Sequence, residues 1–156
     1  MGIEETVEKT AVEIMKRAVI HIPKDIKEAL RNAYEKETSE TGRTQLKAIL
    51  DNVRLGESQE TPICQDTGVI LFYVTVGSDF GDASFVPAAL NRAVKAATVK
   101  VPLRPNAVHP LTRKNSGDNT GTNMPYINWN LGVGEYIEVT VMPKGAGSEN
   151  MSSLAM

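Results

Sequence analysis

The chain contains one cysteine, and it stands in Thr61-Pro62-Ile63-Cys64-Gln65-Asp66-Thr67-Gly68, directly ahead of the apolar run Val69-Ile70-Leu71-Phe72-Tyr73-Val74-Thr75-Val76. A soft thiolate ligand, a carboxamide and a carboxylate therefore lie side by side where a loop enters a strand. Each has a plainer reading of its own. A single free cysteine is most often a buried small hydrophobe, and Asp before Thr-Gly is ordinary turn chemistry. A nucleophilic thiol would need a base, and neither His21 nor His109 stands in a nucleophile–base signature. As a metal ligand one cysteine is too few, because zinc sites and iron–sulfur clusters take three or four protein ligands. Cysteines from outside this chain would have to complete such a site.

Two other segments carry groups that could meet this loop. In Val101-Pro102-Leu103-Arg104-Pro105-Asn106 each proline disfavours helix at the residue before it, so the segment is extended. A stiff backbone aims the Arg104 guanidinium, whose planar fork matches a carboxylate, although a surface cation is the plain alternative. In Lys144-Gly145-Ala146-Gly147-Ser148 the glycines open a helix start, where backbone N–H groups face outward at anions. That segment lacks the Gly-Lys-Ser/Thr ending of a nucleotide-binding P-loop. Between them, residues 107–124 are polar, and Asn115-Ser116-Gly117-Asp118-Asn119-Thr120-Gly121-Thr122-Asn123 is dense in potential donors to an anion, with a solvent loop as the alternative.

The elements that must position these groups follow from periodicity. Ile3, Val7, Ala11, Ile14, Met15 and Ala18 recur at helical spacing, so a first helix runs from 3 to about 20. Pro23 opens a second helix to about Lys36, with Ile26, Ala29, Leu30, Ala33 and Tyr34 inward. A third carries Leu46, Ile49, Leu50 and Val53 and ends at Leu55-Gly56. Strand 69–76 is uniformly apolar, which predicts a central strand covered on both faces. Ser84 caps a helix from about Phe85 to Lys100, with Val86, Leu90, Ala93, Val94 and Ala97 inward. Tyr126–Leu131 and Tyr136–Met142 flank Gly132-Val133-Gly134 and most simply pair as a C-terminal β-hairpin. The fold class is mixed α/β, α+β-like: N-terminal helices, a central strand with a covering helix, then the hairpin.

Bulk properties narrow the classes. The 156 residues suffice for one domain, 1–156. Apolar content of 41% and charged content of 23% are globular values. A net charge of −2 provides no basic field for a nucleic-acid backbone. No apolar run approaches the roughly 20 residues of a membrane span, and the acidic start Met1-Gly2-Ile3-Glu4-Glu5 is unlike a signal peptide. A lone cysteine suits a reducing, cytoplasmic setting. The ending, Ser148-Glu149-Asn150-Met151-Ser152-Ser153-Leu154-Ala155-Met156, reads as a capped helix beginning, which predicts a longer polypeptide.

Taken in order, Cys-Gln-Asp-Thr-Gly at 64–68, Leu-Arg-Pro-Asn at 103–106, Gly-Asp-Asn-Thr-Gly at 117–121 and Lys-Gly-Ala-Gly-Ser-Glu-Asn at 144–150 resemble one family. It is the N-terminal part of the α portion of class I (iron–sulfur) fumarate hydratases and the related L-tartrate dehydratases, and the resemblance covers essentially the whole chain. It implies that Cys64 is the first of three cysteines holding a 4Fe-4S cluster, the other two lying downstream. It implies that Gln65 and Asp66 contact substrate, with Asp66 an acid/base participant, that Arg104 binds a substrate carboxylate, and that Gly145 and Gly147 lie near the substrate. The reaction implied is reversible hydration of fumarate to L-malate, a tricarboxylic acid cycle step, with L-tartrate or a mesaconate-type diacid as alternative substrates. A three-cysteine cluster leaves one iron open as a Lewis acid. A β subunit or C-terminal β portion would supply the remaining base and cations, in an oligomer of α/β units, so this chain alone would neither hold a cluster nor turn over. A non-catalytic assembly domain and a small-anion-binding module are the readings from other classes.

Overall fold

The computed structural model describes residues 2–155, with the side chains of 148 and 149 left aside. Its elements are α1 (Ile3–Ile20), α2 (Lys24–Lys36), α3 (Glu40–Gln59), β1 (Val69–Gly77), α4 (Val86–Lys100), β2 (Tyr126–Gly132), β3 (Ile137–Lys144) and α5 (Gly147–Asn150). This is the α/β class that the periodicities predict, with helices first and a small mixed sheet.

The sheet order is β2-β1-β3. β1 pairs with β2 in parallel, from Leu71 opposite Tyr126 to Gly77 opposite Gly132. It pairs with β3 antiparallel, from Val69 opposite Lys144 to Val76 opposite Ile137. The expected β-hairpin is therefore corrected: β2 and β3 are joined by a short link, yet β1 lies between them. The flanking strands stand two interstrand spacings apart, about 9–10 Å, which a four-residue link can span. The end of β1 bonds to that link, with Gly77 N–H donating to Tyr136 O (2.9 Å), Ser78 N–H to Gly132 O (2.9 Å) and Asp79 N–H to Gly134 O (2.9 Å). Gly77 carries no side chain because a Cβ there would run into the Gly134 carbonyl. From Leu71 to Val76 β1 is paired at both edges, which a strand of β-branched and aromatic residues suits.

One face of the sheet is covered. Ile70, Phe72 and Val74 point to it and are fully buried against Ala11 and Met15 of α1 and Val86, Leu90, Ala93, Val94 and Ala97 of α4. Ile127, Val139 and Val141 extend that layer from the flanking strands. The other face is left open by the described residues: Tyr73 is 38% exposed, and Tyr126 and Met142, in register with Leu71, are exposed too. The uniform apolarity of β1 thus reflects its central position in the sheet rather than cover on both faces.

Three helix details differ from expectation for local reasons. α3 runs past Gly56 to Gln59 and is capped by Glu60 in the left-handed conformation (φ 52°). Gly56 is instead the place where the segment leading to Cys64 crosses the helix, since a Cβ there would collide with Ile63 Cγ2. α2 buries none of its residues fully, and Ile26 is 47% exposed. Ser84 bonds Asp82 (Oγ to Oδ2, 2.9 Å) and does not cap α4. At the C-terminal end a single helical turn, Gly147–Asn150, forms and the chain then extends to Ala155. The capping role expected of Ser148 and the last residue of that run, Met156, lie outside the described residues.

Phe72→Ala removes the largest side chain of the buried layer and is expected to cost about 3–5 kcal/mol in denaturant unfolding. Val99→Ala, on the exposed side of α4, is expected to stay within about 0.5 kcal/mol of the parent. Similar losses for the two would contradict a core centred on β1.

Candidate functional site

The register of β1 and β3 decides which loops meet. Because Val69 pairs with Lys144, the loop entering β1 and the loop leaving β3 emerge side by side. Gly68 takes φ +60°, and a Cβ there would overlap the Lys144 carbonyl and stand 2.8 Å from Gly145 Cα. Only glycine permits both that backbone conformation and that approach. Thr67 and Gly68 are buried, Asp66 is half-buried, and Cys64 and Gln65 are exposed at the rim.

The third segment comes from the end of α4. Val101 and Leu103 are buried anchors (3% and 2% exposed), and the prolines keep 101–106 extended between them and the loop. This strap delivers Asn106, whose Oδ1 accepts from Gly68 N–H (2.8 Å) and whose Nδ2 donates to Asp66 Oδ1 (2.6 Å). Asp66 Oδ2 accepts from Ala146 N–H (3.0 Å). The carboxylate is thus held at both oxygens by donors from two different segments. Beside it, the Asp66 backbone N–H donates to Cys64 Sγ (3.4 Å).

The structure brings the predicted site residues together in part. Cys64, Gln65 and Asp66 share one loop, and Gly145 and Gly147 lie against it, a Cβ at Gly147 meeting Asp66 Oδ2 at 3.8 Å. Arg104 sits two residues before Asn106 on the strap, exposed and with no ion-pair partner among the described residues. Gln65 likewise hydrogen-bonds to none of the described residues. The backbone N–H of Ala146, expected to face a free anion, is spent on Asp66. Asn106 and that amide were missed in the sequence as site groups. The available signal was the position of Asn106 directly after the stiff Arg104-Pro105 pair.

The polar loop is built as structure. Asn119 is buried at 2% exposure, and its Nδ2 donates to Thr98 Oγ1 on α4 (2.9 Å). Asp118 Oδ1 accepts from Thr120 Oγ1 (2.7 Å) and from Thr120 N–H (3.0 Å), and the Thr120 hydroxyl holds that carboxyl below its usual range. Asn115 Nδ2 donates to Pro105 O (2.7 Å), so the loop braces the strap that carries Arg104 and Asn106. Neither histidine touches Cys64. His109 Nδ1 accepts from Leu111 N–H and Thr112 N–H (both 3.2 Å), a turn contact. His21 Nδ1 lies 3.6 Å from Glu57 Oε1, a carboxyl that its hydrogen bond to Lys27 keeps below the ordinary range. A cleft of about 490 Å³ is lined by Ile14, Arg17, His21, Val139 and Val141 and holds none of the loop residues. Arg17, His21 and Thr140 are its polar lining, set among apolar walls away from the 64–68 loop.

Among the described residues no three metal-ligating side chains converge. Cys64 fits as one ligand of a cluster: its thiol is exposed, and a backbone N–H already points at the sulfur.

A family model described as Fumarate hydratase (Fumerase) matches residues 8–156. A Methanocaldococcus jannaschii protein provisionally named L(+)-tartrate dehydratase subunit alpha is 44% identical over 149 residues, 93% of this chain and 52% of its own. The L(+)-tartrate dehydratase subunit alpha of Escherichia coli strain UTI89 is 37% identical over 127 residues, 81% of this chain and 42% of its own. The strain K12 protein of the same name is 38% identical over 110 residues, 70% of this chain and 36% of its own. The chain belongs to the fumarate hydratase (Fumerase) family. It spans about half the length, or less, of these curated relatives. No helix among the described residues is long and apolar enough to cross a membrane.

Gly68→Ala is expected to drive 64–68 away from 144–146 and to cost about 1–3 kcal/mol in backbone strain alone. Faster amide hydrogen exchange at Ala146 would report the lost contact to Asp66; unchanged exchange there would contradict the packing of the two loops.

Proposed function

We propose that this chain forms one wall of the active site of a hydro-lyase that adds water to, or removes it from, a four-carbon dicarboxylate. The observation that carries this reading is the Asp66 carboxylate, fixed at both oxygens beside the exposed Cys64 thiol. Asp66 serves as an acid/base participant, since proton transfer needs a group held within hydrogen-bond reach of the reacting atoms. Arg104, without an ion-pair partner among the described residues and carried on a stiff strap, supplies a charged fork to one substrate carboxylate. Gln65, at the rim, offers a polar contact, and the small residues Gly145 and Gly147 leave room for the diacid. Cys64 holds one corner of a 4Fe-4S cluster whose other ligands lie outside this chain, and the bound cluster supplies a Lewis-acid iron.

L-malate, with fumarate as product, and L(+)-tartrate share a carboxylate next to a hydroxyl-bearing carbon, the group that Arg104 and Asp66 suit. The family description supports fumarate and malate as substrates, while the names of the relatives support tartrate as the second reading. Their description as alpha subunits supports a β subunit as partner, in an oligomer of α/β units. A cytoplasmic setting accords with the lone free thiol.

The test is anaerobic reconstitution of the full-length α protein with its β partner, iron and sulfide, followed by kcat/KM on L-malate and L(+)-tartrate. The proposal expects turnover of at least one of them, and the larger value identifies the substrate; no cluster and no turnover of either would refute the lyase reading. In that enzyme Asp66→Asn is expected to lower kcat by about 10²–10⁴-fold. Arg104→Met is expected to weaken substrate binding by about 10- to 100-fold, the equivalent of one lost charged hydrogen bond. Unchanged affinity would remove Arg104 from the carboxylate site.

A further inference from the structure

We infer that Asn106 is a positioning residue for Asp66, setting the rotation of its carboxylate; this rests on the reading of Asp66 as the reacting group. Asn106 meets two neighbours of opposite demand. Gly68 N–H can only donate and the Asp66 carboxylate accepts, so the position needs one acceptor and one donor on a single planar group. A carboxamide is the side chain that supplies both at this length. The Gly68 bond fixes the carboxamide in plane, and the 2.6 Å bond from Nδ2 then fixes Asp66 Oδ1. With Oδ2 held by Ala146 N–H, the carboxylate has little freedom to rotate.

Asn106 is itself held from behind. Pro105 restricts the backbone on its N-terminal side, Leu103 anchors the strap in the core, and Asn115 bonds Pro105 O at 2.7 Å. The direction of Asp66 therefore depends on the strap that also carries Arg104. One rigid segment sets the relative placement of the acid/base group and the carboxylate clamp. Misplacement of such a group by about 1 Å can cost about 10²-fold in rate.

Asn106→Asp separates this role from simple loop anchoring. It keeps an acceptor for Gly68 N–H, loses the donor to Asp66 and sets a second carboxylate against it. In the assembled α/β enzyme the variant is expected to lose about 10- to 100-fold in kcat with KM little changed. Amide exchange at Ala146 should quicken while that at Gly68 stays protected. Combining Asn106→Asp with Asp66→Asn restores a donor–acceptor pair in the reverse sense. Protection at Ala146 should then recover, and kcat should fall no lower than in Asp66→Asn alone. Should Asn106→Asp fail to assemble, Asn106→Ala is read through the same cycle, with losses again non-additive. Wild-type kcat in Asn106→Asp alongside a crippled Asp66→Asn would overturn the positioning role alone, as would losses that multiply in the double variant. Wild-type kcat in Asp66→Asn would overturn the reading of Asp66 and this inference with it.

Discussion

The pairing of Val69 with Lys144 is the contact on which the site depends. It sets the end of β3 beside the start of β1, and Gly68 lets the two backbones close to within a distance no side chain would tolerate. Everything at the rim follows from that register. Shifted by one residue, β3 would turn its half-buried valines to the open face, and Ala146 N–H would no longer reach Asp66. The register is in turn enforced by burial, because Val139 and Val141 must face the same layer as Phe72 and Val74. Core packing and site geometry are thus one constraint expressed at two places.

Among the described residues the sheet is covered on one face. α1 and α4 pack on each other and on Ile70, Phe72 and Val74, whereas Tyr73, Tyr126 and Met142 remain open. The three-residue layer of β1 lies beneath α1 and α4, and α4, with six buried apolar residues, serves both the core and the candidate site. Its inner face packs, its last turn anchors the polar loop through the half-buried Thr98 and the buried Asn119, and its C-terminal end releases the strap to Arg104 and Asn106. That arrangement makes the strap stiff, since it is tied to the core at Leu103 and to the loop at Pro105.

Much of this was legible in the sequence, and what was not has physical causes. Helical spacing placed α1 correctly because Ala11 and Met15, which pack on the sheet, fall on one stripe, whereas the buried Ile20 at its end lies off that stripe. The loop, strap and glycine segment were recognisable as a set from their residue types and order. The strand pairing was not, because a short link between two apolar strands reads as a hairpin, and nothing local reveals that β1 lies between them. Gly56 reads as a helix end because glycine favours that position, whereas here it admits Ile63. The role of Asn106 needed the third dimension: its partners, Asp66 and Gly68, lie roughly forty residues away in sequence. Family membership was legible from the motifs themselves, in agreement with the family match over residues 8–156.

In the proposed function this chain forms one corner of a diacid site, with Asp66 and Arg104 aimed by a common strap. An anaerobic crystal structure of the assembled α/β protein with bound L-malate or L(+)-tartrate tests that most directly. The account predicts a substrate carboxylate on Arg104, the Asp66 carboxylate within hydrogen-bond reach of the diacid, and Asn106 still bonded to Asp66. A diacid bound away from the 64–68 loop, or Asp66 turned out of its contacts with Asn106 and Ala146, would contradict it.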